Sequence, residues 1–279
     1  MKQLIVSADD LGLTRSTNEG ILLGWKEGIV TNINFIPSGS AADDALGLLK
    51  YNKVSEIGVH LALTETAPLT NPRLIGSLKG KNGRFPAAHS KFLGRLIVGK
   101  IDTEHIRTEF RSQMDRAAQS GARITNISSH EHIHMIPIIL KVFIEIAKEY
   151  KVPFVRMLKI EKVSPPISLK KLYKLATVSC FKGIMKMGLR KSGLRYADNF
   201  IGFLDSGALN ENILIGMIKN LKEGVTELVA HPGFLGPEIL DKYRFHINCE
   251  EELYALTSPK VRRLITGNGI KLVSYGDLL

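Results

Sequence analysis

Short apolar runs alternate with amphipathic stretches along the whole 279-residue chain. The runs predict strands at 3–8, 32–36, 57–63, 124–128, 154–157, 200–204, 227–230 and 271–274. Most are too continuously apolar for a sheet with one wet face, which predicts parallel strands covered on both sides. Stretches with helical spacing fall between them, at 16–26, 41–49, 103–118, 137–150, 169–190, 211–221 and 258–266. Pro137 suits a first helical turn, and Gly28 and Gly267 suit C-terminal stops. Seven or eight βα units of this kind predict a closed barrel or a doubly wound sheet. Segment 66–100, rich in Pro, Gly and basic residues, reads as a long loop able to cover a site.

In both architectures the carboxyl ends of the strands face the ligand crevice. Asp9, Asp10, His60, His130 and His231 all sit at such ends. Apolar strands normally finish in turn residues, and finishing in carboxylates and imidazoles carries a solvation cost that a binding site offsets. If the ends converge, they give a divalent metal oxygen and nitrogen ligands and leave one carboxylate free as a base. Each residue also has a plainer reading. Asp10 precedes a helix and suits a cap, His60 suits a core or edge histidine, and His231 in His231-Pro232-Gly233 suits a turn. His130, His132 and His134 alternate with Glu131 and Ile133, so on an extended segment the three imidazoles share a face, whereas on a helix His130 and His134 are i,i+4 neighbours. Three imidazoles in five residues favour metal binding. The spacing is not the helical His-Glu-x-x-His of a zincin, and no Gly-x-Ser-x-Gly nucleophile elbow occurs.

Composition narrows the class. Apolar content of 44% and charged content of 23% are ordinary for a globular chain, and no internal repeat divides residues 1–279, which read as a single domain. No stretch approaches the roughly 20 apolar residues that span a bilayer, and Leu4-Ile5-Val6 is too short for a secretory leader. Cys180 and Cys249 make no metal spacing and fit a reducing compartment, so the cytoplasm is expected. The net charge of +11 is local, since eight cations and no acid lie between Lys170 and Arg195. That distribution speaks against a nucleic-acid binder, whose charge spreads along a groove.

With these residues in hand, the chain resembles the YdjC-type carbohydrate deacetylases, whose best-known members act on chitooligosaccharides. The resemblance rests on Val6-Ser7-Ala8-Asp9-Asp10-Leu11-Gly12-Leu13 with Asn18, and on Gly28-Ile29-Val30-Thr31. It continues through Gly58-Val59-His60-Leu61-Ala62-Leu63-Thr64, Ser129-His130-Glu131-His132-Ile133-His134 with Pro137, and His231-Pro232-Gly233. It implies an irregular (β/α) barrel of seven or eight units, related to the polysaccharide-deacetylase barrel. It also implies one divalent metal ion, Mg²⁺ or Zn²⁺, on Asp10, His60 and His130. Asp9 is then the general base and His231 the acid, with His132 and His134 shaping the substrate pocket. The implied reaction removes an N-acetyl group from an N-acetylglucosamine-containing saccharide or glycolipid. The family commonly carries an Asp two residues before its first cluster histidine, where this chain has Ser128.

A narrower similarity, through Asn199-Phe200-Ile201-Gly202-Phe203-Leu204-Asp205-Ser206-Gly207, is to the hopanoid-biosynthesis-associated branch, whose implied substrate is an N-acetylglucosaminyl lipid. The basic stretch 169–190, with its interspersed apolar residues, suits either peripheral contact with a membrane or a solvated barrel helix. Two competing functions stay open at this point, a metal-dependent phosphoesterase and a glycan- or lipid-binding barrel without strong catalysis. Oligomeric state, a homodimer included, is also open.

Overall fold

The computed structural model describes residues 1–80, 83–87, 89–162 and 167–279. Eight parallel strands among these residues form one curled sheet: β1 (Lys2–Leu11), β2 (Asn32–Phe35), β3 (Glu56–Leu61), β4 (Arg123–Ser129), β5 (Phe154–Val155), β6 (Asn199–Ile201), β7 (Gly224–Ala230) and β8 (Lys271–Leu272). The order is β5-β4-β3-β2-β1-β7-β6, and β8 pairs with Gln3 and Leu4 of β1. Arg195, on the approach to β6, meets the free edge of β5. The Val155 N–H donates to its carbonyl (2.9 Å), and its own N–H donates to the Pro153 carbonyl (3.0 Å). This single bridge brings the two ends of the sheet together into an irregular barrel, as expected.

Helices cover the outside: α1 (Arg15–Lys26), α2 (Ala42–Tyr51), α3 (His89–Ile97), α4 (Thr103–Ala118), α5 (Pro137–Glu149), α6 (Leu169–Ser192), α7 (Glu211–Lys219), α8 (Pro237–Asp241), α9 (Cys249–Thr257) and α10 (Pro259–Gly267). Their apolar stripes pack on the outward side chains of the strands, such as Leu4, Val6, Ile33, Phe35, Val59, Ile127 and Leu228, forming the main core. Three of these helices were not expected from the pattern. α3 lies inside the segment predicted as loop, whose positions 81, 82 and 88 fall outside the described residues. α8 and α9 occupy a stretch left unassigned, where Pro237 opens one helix and three glutamates fill the first turn of the other. Such short helices take their stability from packing, so their sequences carry little periodic signal.

Side chains alternate across a strand, and here the inward positions become chemically graded along the barrel axis. Ile5, Phe154, Val273 and Tyr275 form a small apolar floor. Above it Ser7, Asn32, Asn34, Asn126 and Glu227 are buried and joined by hydrogen bonds. Gly58 leaves the space this layer needs, because a Cβ there would lie 1.8 Å from Asn34 Oδ1 and 2.6 Å from the Asn126 amide. Gly58→Ala should therefore lower stability by about 1–3 kcal/mol, the usual range for overpacking. It should lower activity further by displacing Asn34, and thermal melting beside a rate assay would separate the two effects.

Candidate active site

The top layer of the barrel begins with two adjacent aspartates that ideal strand geometry would send to opposite faces. A register irregularity between Ala8 and Leu11 interrupts the β1–β2 pairing, and Asp10 there takes φ of +75°. The turn rotates the second carboxylate to the side of the first. His60 Nε2 accordingly lies 3.7 Å from Asp9 Oδ2 and 3.5 Å from Asp10 Oδ1. Asp10 caps no helix: Thr14 accepts the α1 N-terminal bond from the Thr17 N–H. Among the non-glycine residues with positive φ, Asp10, Glu65, Glu131 and His132 all belong to this end of the barrel. Strain gathered at one place in this way is a mark of a functional site.

Asp9 is held from three directions. Arg156 grips it with both guanidinium nitrogens, Nη1 to Oδ2 at 2.5 Å and Nη2 to Oδ1 at 2.8 Å. The Asn34 amide donates to Oδ1 at 2.7 Å. Burial by itself would push the carboxyl up, but the guanidinium outweighs it and holds Asp9 down at about 2. Arg156 also donates from Nε to Glu227 Oε1 at 2.9 Å, so one buried cation serves two buried carboxylates.

Asp10, His60 and His130 each present a donor atom, and the three atoms lie within 4.8 Å of one another. Burial pushes His60 down to about 4 against the opposing pull of Asp9 and Asp10, so its ring is neutral near pH 7 and keeps a free lone pair. Its other nitrogen, Nδ1, contacts Ser128 Oγ at 2.6 Å, which fixes the ring. Ser128, where the resemblance leads to an expected carboxylate, orients His60, because the two residues are in register across β3 and β4. His130 bridges two acids, with Nδ1 3.1 Å from Asp10 Oδ1 and Nε2 2.9 Å from Glu65 Oε2. Burial disfavours its charged form, yet these carboxylates raise it well above the ordinary histidine range. The proton retained there sits where a bound cation would place its own charge. A carboxylate and two imidazoles at this spacing suit Zn²⁺ and also harder divalent ions.

The histidine cluster does not share a face. Residues His130–Met135 form a tight 3-10 turn rather than a strand, with Glu131 and His132 in left-handed conformation. His130 alone turns toward the carboxylates. His132 packs edge-on against Phe203 and Phe200, with Nδ1 unbonded. His134 contacts Ser129 Oγ (2.5 Å) and the Arg156 carbonyl (3.1 Å) and stacks on Phe143. It ties the turn to the Arg156 backbone.

His231 closes the far side of the site from the end of β7. Glu252 accepts its backbone N–H at 2.6 Å and approaches Nδ1 at 3.8 Å, an ionic contact beyond hydrogen-bond length. Burial opposes its protonation, but Glu252, Asp10 and Asp9 together raise His231 above the ordinary value. The sequence reading passed over Arg156, Glu65, Glu252 and His246, the last with Nε2 3.2 Å from Asp10 Oδ2. Arg156 carried a signal, being a lone cation inside the apolar run Phe154-Val155-Arg156-Met157-Leu158. Glu65, Glu252 and His246 lie outside any strand and carried none.

The sequence pattern that defines the family described as YdjC-like protein matches residues 3–267. The chain belongs to the YdjC-like family. A relative from Thermoanaerobacter pseudethanolicus, named carbohydrate deacetylase, is 30% identical over the full length of both chains. One from Clostridium beijerinckii with the same name is 27% identical, covering 99% of this chain and all of its own. A crystal structure from Enterococcus faecalis V583, provisionally described as a cellobiose-phosphate cleavage protein, superposes with a TM-score of 0.81 at 25% identity, covering 99% of this chain and 98% of its own. In this YdjC-like protein the five strand-end residues Asp9, Asp10, His60, His130 and His231 thus stand around one mouth of the barrel.

Removing the two partners of the buried ion pair should have unequal effects. Arg156→Met leaves Asp9 and Glu227 buried without their cation and should cost about 3–5 kcal/mol. Asp9→Asn leaves Arg156 paired with Glu227 and should cost less, which chemical denaturation of both variants would measure. The Asp9 carboxyl sits near 2 when folded, against 3.8 for an ordinary aspartate. Its contribution, about 2 kcal/mol, is therefore complete above about pH 4 and lost as pH falls through 2.

Proposed function

We propose that this chain is a carbohydrate N-deacetylase that works with one divalent cation, Mg²⁺ or Zn²⁺, on an N-acetylglucosamine-containing saccharide or glycolipid. The observation that carries this reading is the convergence of Asp10, His60 and His130 beside a second, separately held carboxylate, Asp9. The relatives named carbohydrate deacetylase supply the substrate class. A cation held by Asp10, His60 and His130 contributes a lowered water pKa and positive charge for a carbonyl oxygen.

The side chains divide the proton work by their opposite shifts. Asp9 stays ionised through the neutral range, and the Arg156 fork fixes its direction, so it receives the proton of the attacking water. His231 holds its proton at higher pH than an ordinary histidine and gives it to the departing amine nitrogen, releasing acetate and a free amino sugar. Ser128 keeps the His60 ring turned toward Asp10, and His132 with its two phenylalanines walls the sugar side. A second reading, phosphate-ester hydrolysis, rests on the ligand set, since carboxylate and imidazole ligands with a divalent cation also suit phosphate esters. The same ligands would serve it, and the released product separates the two.

Acetate should be released from N-acetylglucosamine, chitobiose or an N-acetylglucosaminyl lipid when Mg²⁺ or Zn²⁺ is present. Phosphate released from a sugar phosphate, with no acetate from any of these, would replace this reading by the second. His60→Ala should abolish stoichiometric metal binding, whereas Asp9→Asn should keep the metal and lose about 10²–10⁴-fold in turnover. Ser128→Ala should weaken metal affinity about 10–100-fold, read by calorimetric titration. The rate should decline on the alkaline side as His231 loses its proton, at a pH above 6.5, and His231→Asn should remove that limb.

A further inference from the structure

The long helix α6 presents two apolar faces, and the barrel uses one. Val178, Met185 and Leu189 are buried where α6 packs along α5. On the opposite side Leu169 (86% exposed), Leu172 (46%), Tyr173 (69%), Ile184 (43%) and Met187 (53%) form a stripe at helical spacing that meets solvent. Apolar side chains on both faces are costly to expose and are not a feature of an ordinary solvated helix. Lys186, Arg190 and Lys191 border the stripe and are exposed. The same side carries a shallow hollow of about 510 Å³ bordered by Gly183, Lys186, Met187, Arg190 and Lys191.

Charge decides what covers this face. Of the eight cations between Lys170 and Arg195, Lys171 pairs with the buried Asp205 and Lys174 donates to the Phe203 carbonyl, and the exposed ones beside the stripe, Lys186, Arg190 and Lys191, have no acid among them. A second copy docked through the same face would set one all-cationic surface against another, which opposes self-association. An anionic bilayer matches both features at once, taking the apolar side chains into its interfacial layer and the cations at its headgroups. No helix among the described residues is long and apolar enough to cross a membrane, so the contact is peripheral. We infer that the outer face of α6 docks on an anionic bilayer surface. The N-terminal end of α6 reaches the catalytic mouth: Lys170 Nζ lies 5.7 Å above the exposed Phe245 ring, which meets His231 edge-on at 5.1 Å. The inference stands on α6 and does not require the proposed activity.

Co-sedimentation of the full chain with phosphatidylcholine vesicles, with and without phosphatidylglycerol, tests it. The protein should bind the anionic vesicles and leave the neutral ones. Lys186→Gln with Lys191→Gln should lower partitioning about thirtyfold, from about 1 kcal/mol per cation near the surface. Ile184→Ser with Met187→Ser should lower it by about tenfold or more. These exposed substitutions should leave the melting temperature and the rate on a water-soluble substrate unchanged. Absence of vesicle binding, equal binding of neutral and anionic vesicles, or equal binding by all variants would overturn the inference. So would a dimer, detected by light scattering, that the Ile184 and Met187 substitutions dissociate.

Discussion

One guanidinium organises the interior of this barrel. Arg156 is fully buried, grips Asp9 with two nitrogens and reaches Glu227 with a third. A buried cation shared by two buried carboxylates satisfies all three groups only in one arrangement. That requirement fixes β1, β7 and the segment after β5 relative to one another. The hydrogen bonds of Ser7, Asn32, Asn34 and Asn126 extend the same constraint to β2 and β4. The barrel is therefore built on a polar interior layer that ends, one step higher, in the site.

The polar layer and the site are one network in two roles. Asn34 reaches up to Asp9, Ser128 to His60, and the carbonyl of Arg156 to His134. Strain in the backbone completes what the network begins. Positive φ at Asp10 turns a second carboxylate inward, and positive φ at Glu131 and His132 sends neighbouring imidazoles to different destinations. Such conformations cost roughly 1–3 kcal/mol each and persist where the surroundings over-determine them. Here the surroundings are the contacts of Asp10 with His130 and His246 and the aromatic packing around His132.

The parallel strands and the strand-end residues were legible because both follow from local rules. Continuous apolar runs declare buried strands, and a charged or imidazole side chain at the end of such a run is out of place unless something uses it. Ser128 was legible as a departure from the related sequences, and its register opposite His60 supplies the meaning. The geometry of the histidine cluster stayed open between an extended and a helical segment, and it is neither, for a physical reason. Alternation predicts a shared face only on an extended backbone, and two left-handed residues break that condition.

The sequence by itself determined the order of elements, the alternation that separates an inner from an outer face, and the identity of the five strand-end residues. Those properties depend on neighbours in the chain. Tertiary structure alone decided that both adjacent aspartates face one mouth, that Arg156 holds Asp9, and that Glu65, Glu252 and His246 join from loops and a short helix. It also decided that α6 keeps one apolar face for the barrel and leaves the other outside. The partners that hold these residues lie from tens to more than two hundred positions apart, for example Asp9 and Arg156, 147 apart. No periodicity along the chain encodes such pairs, because their energy arises only when burial removes water and leaves each polar group a single partner.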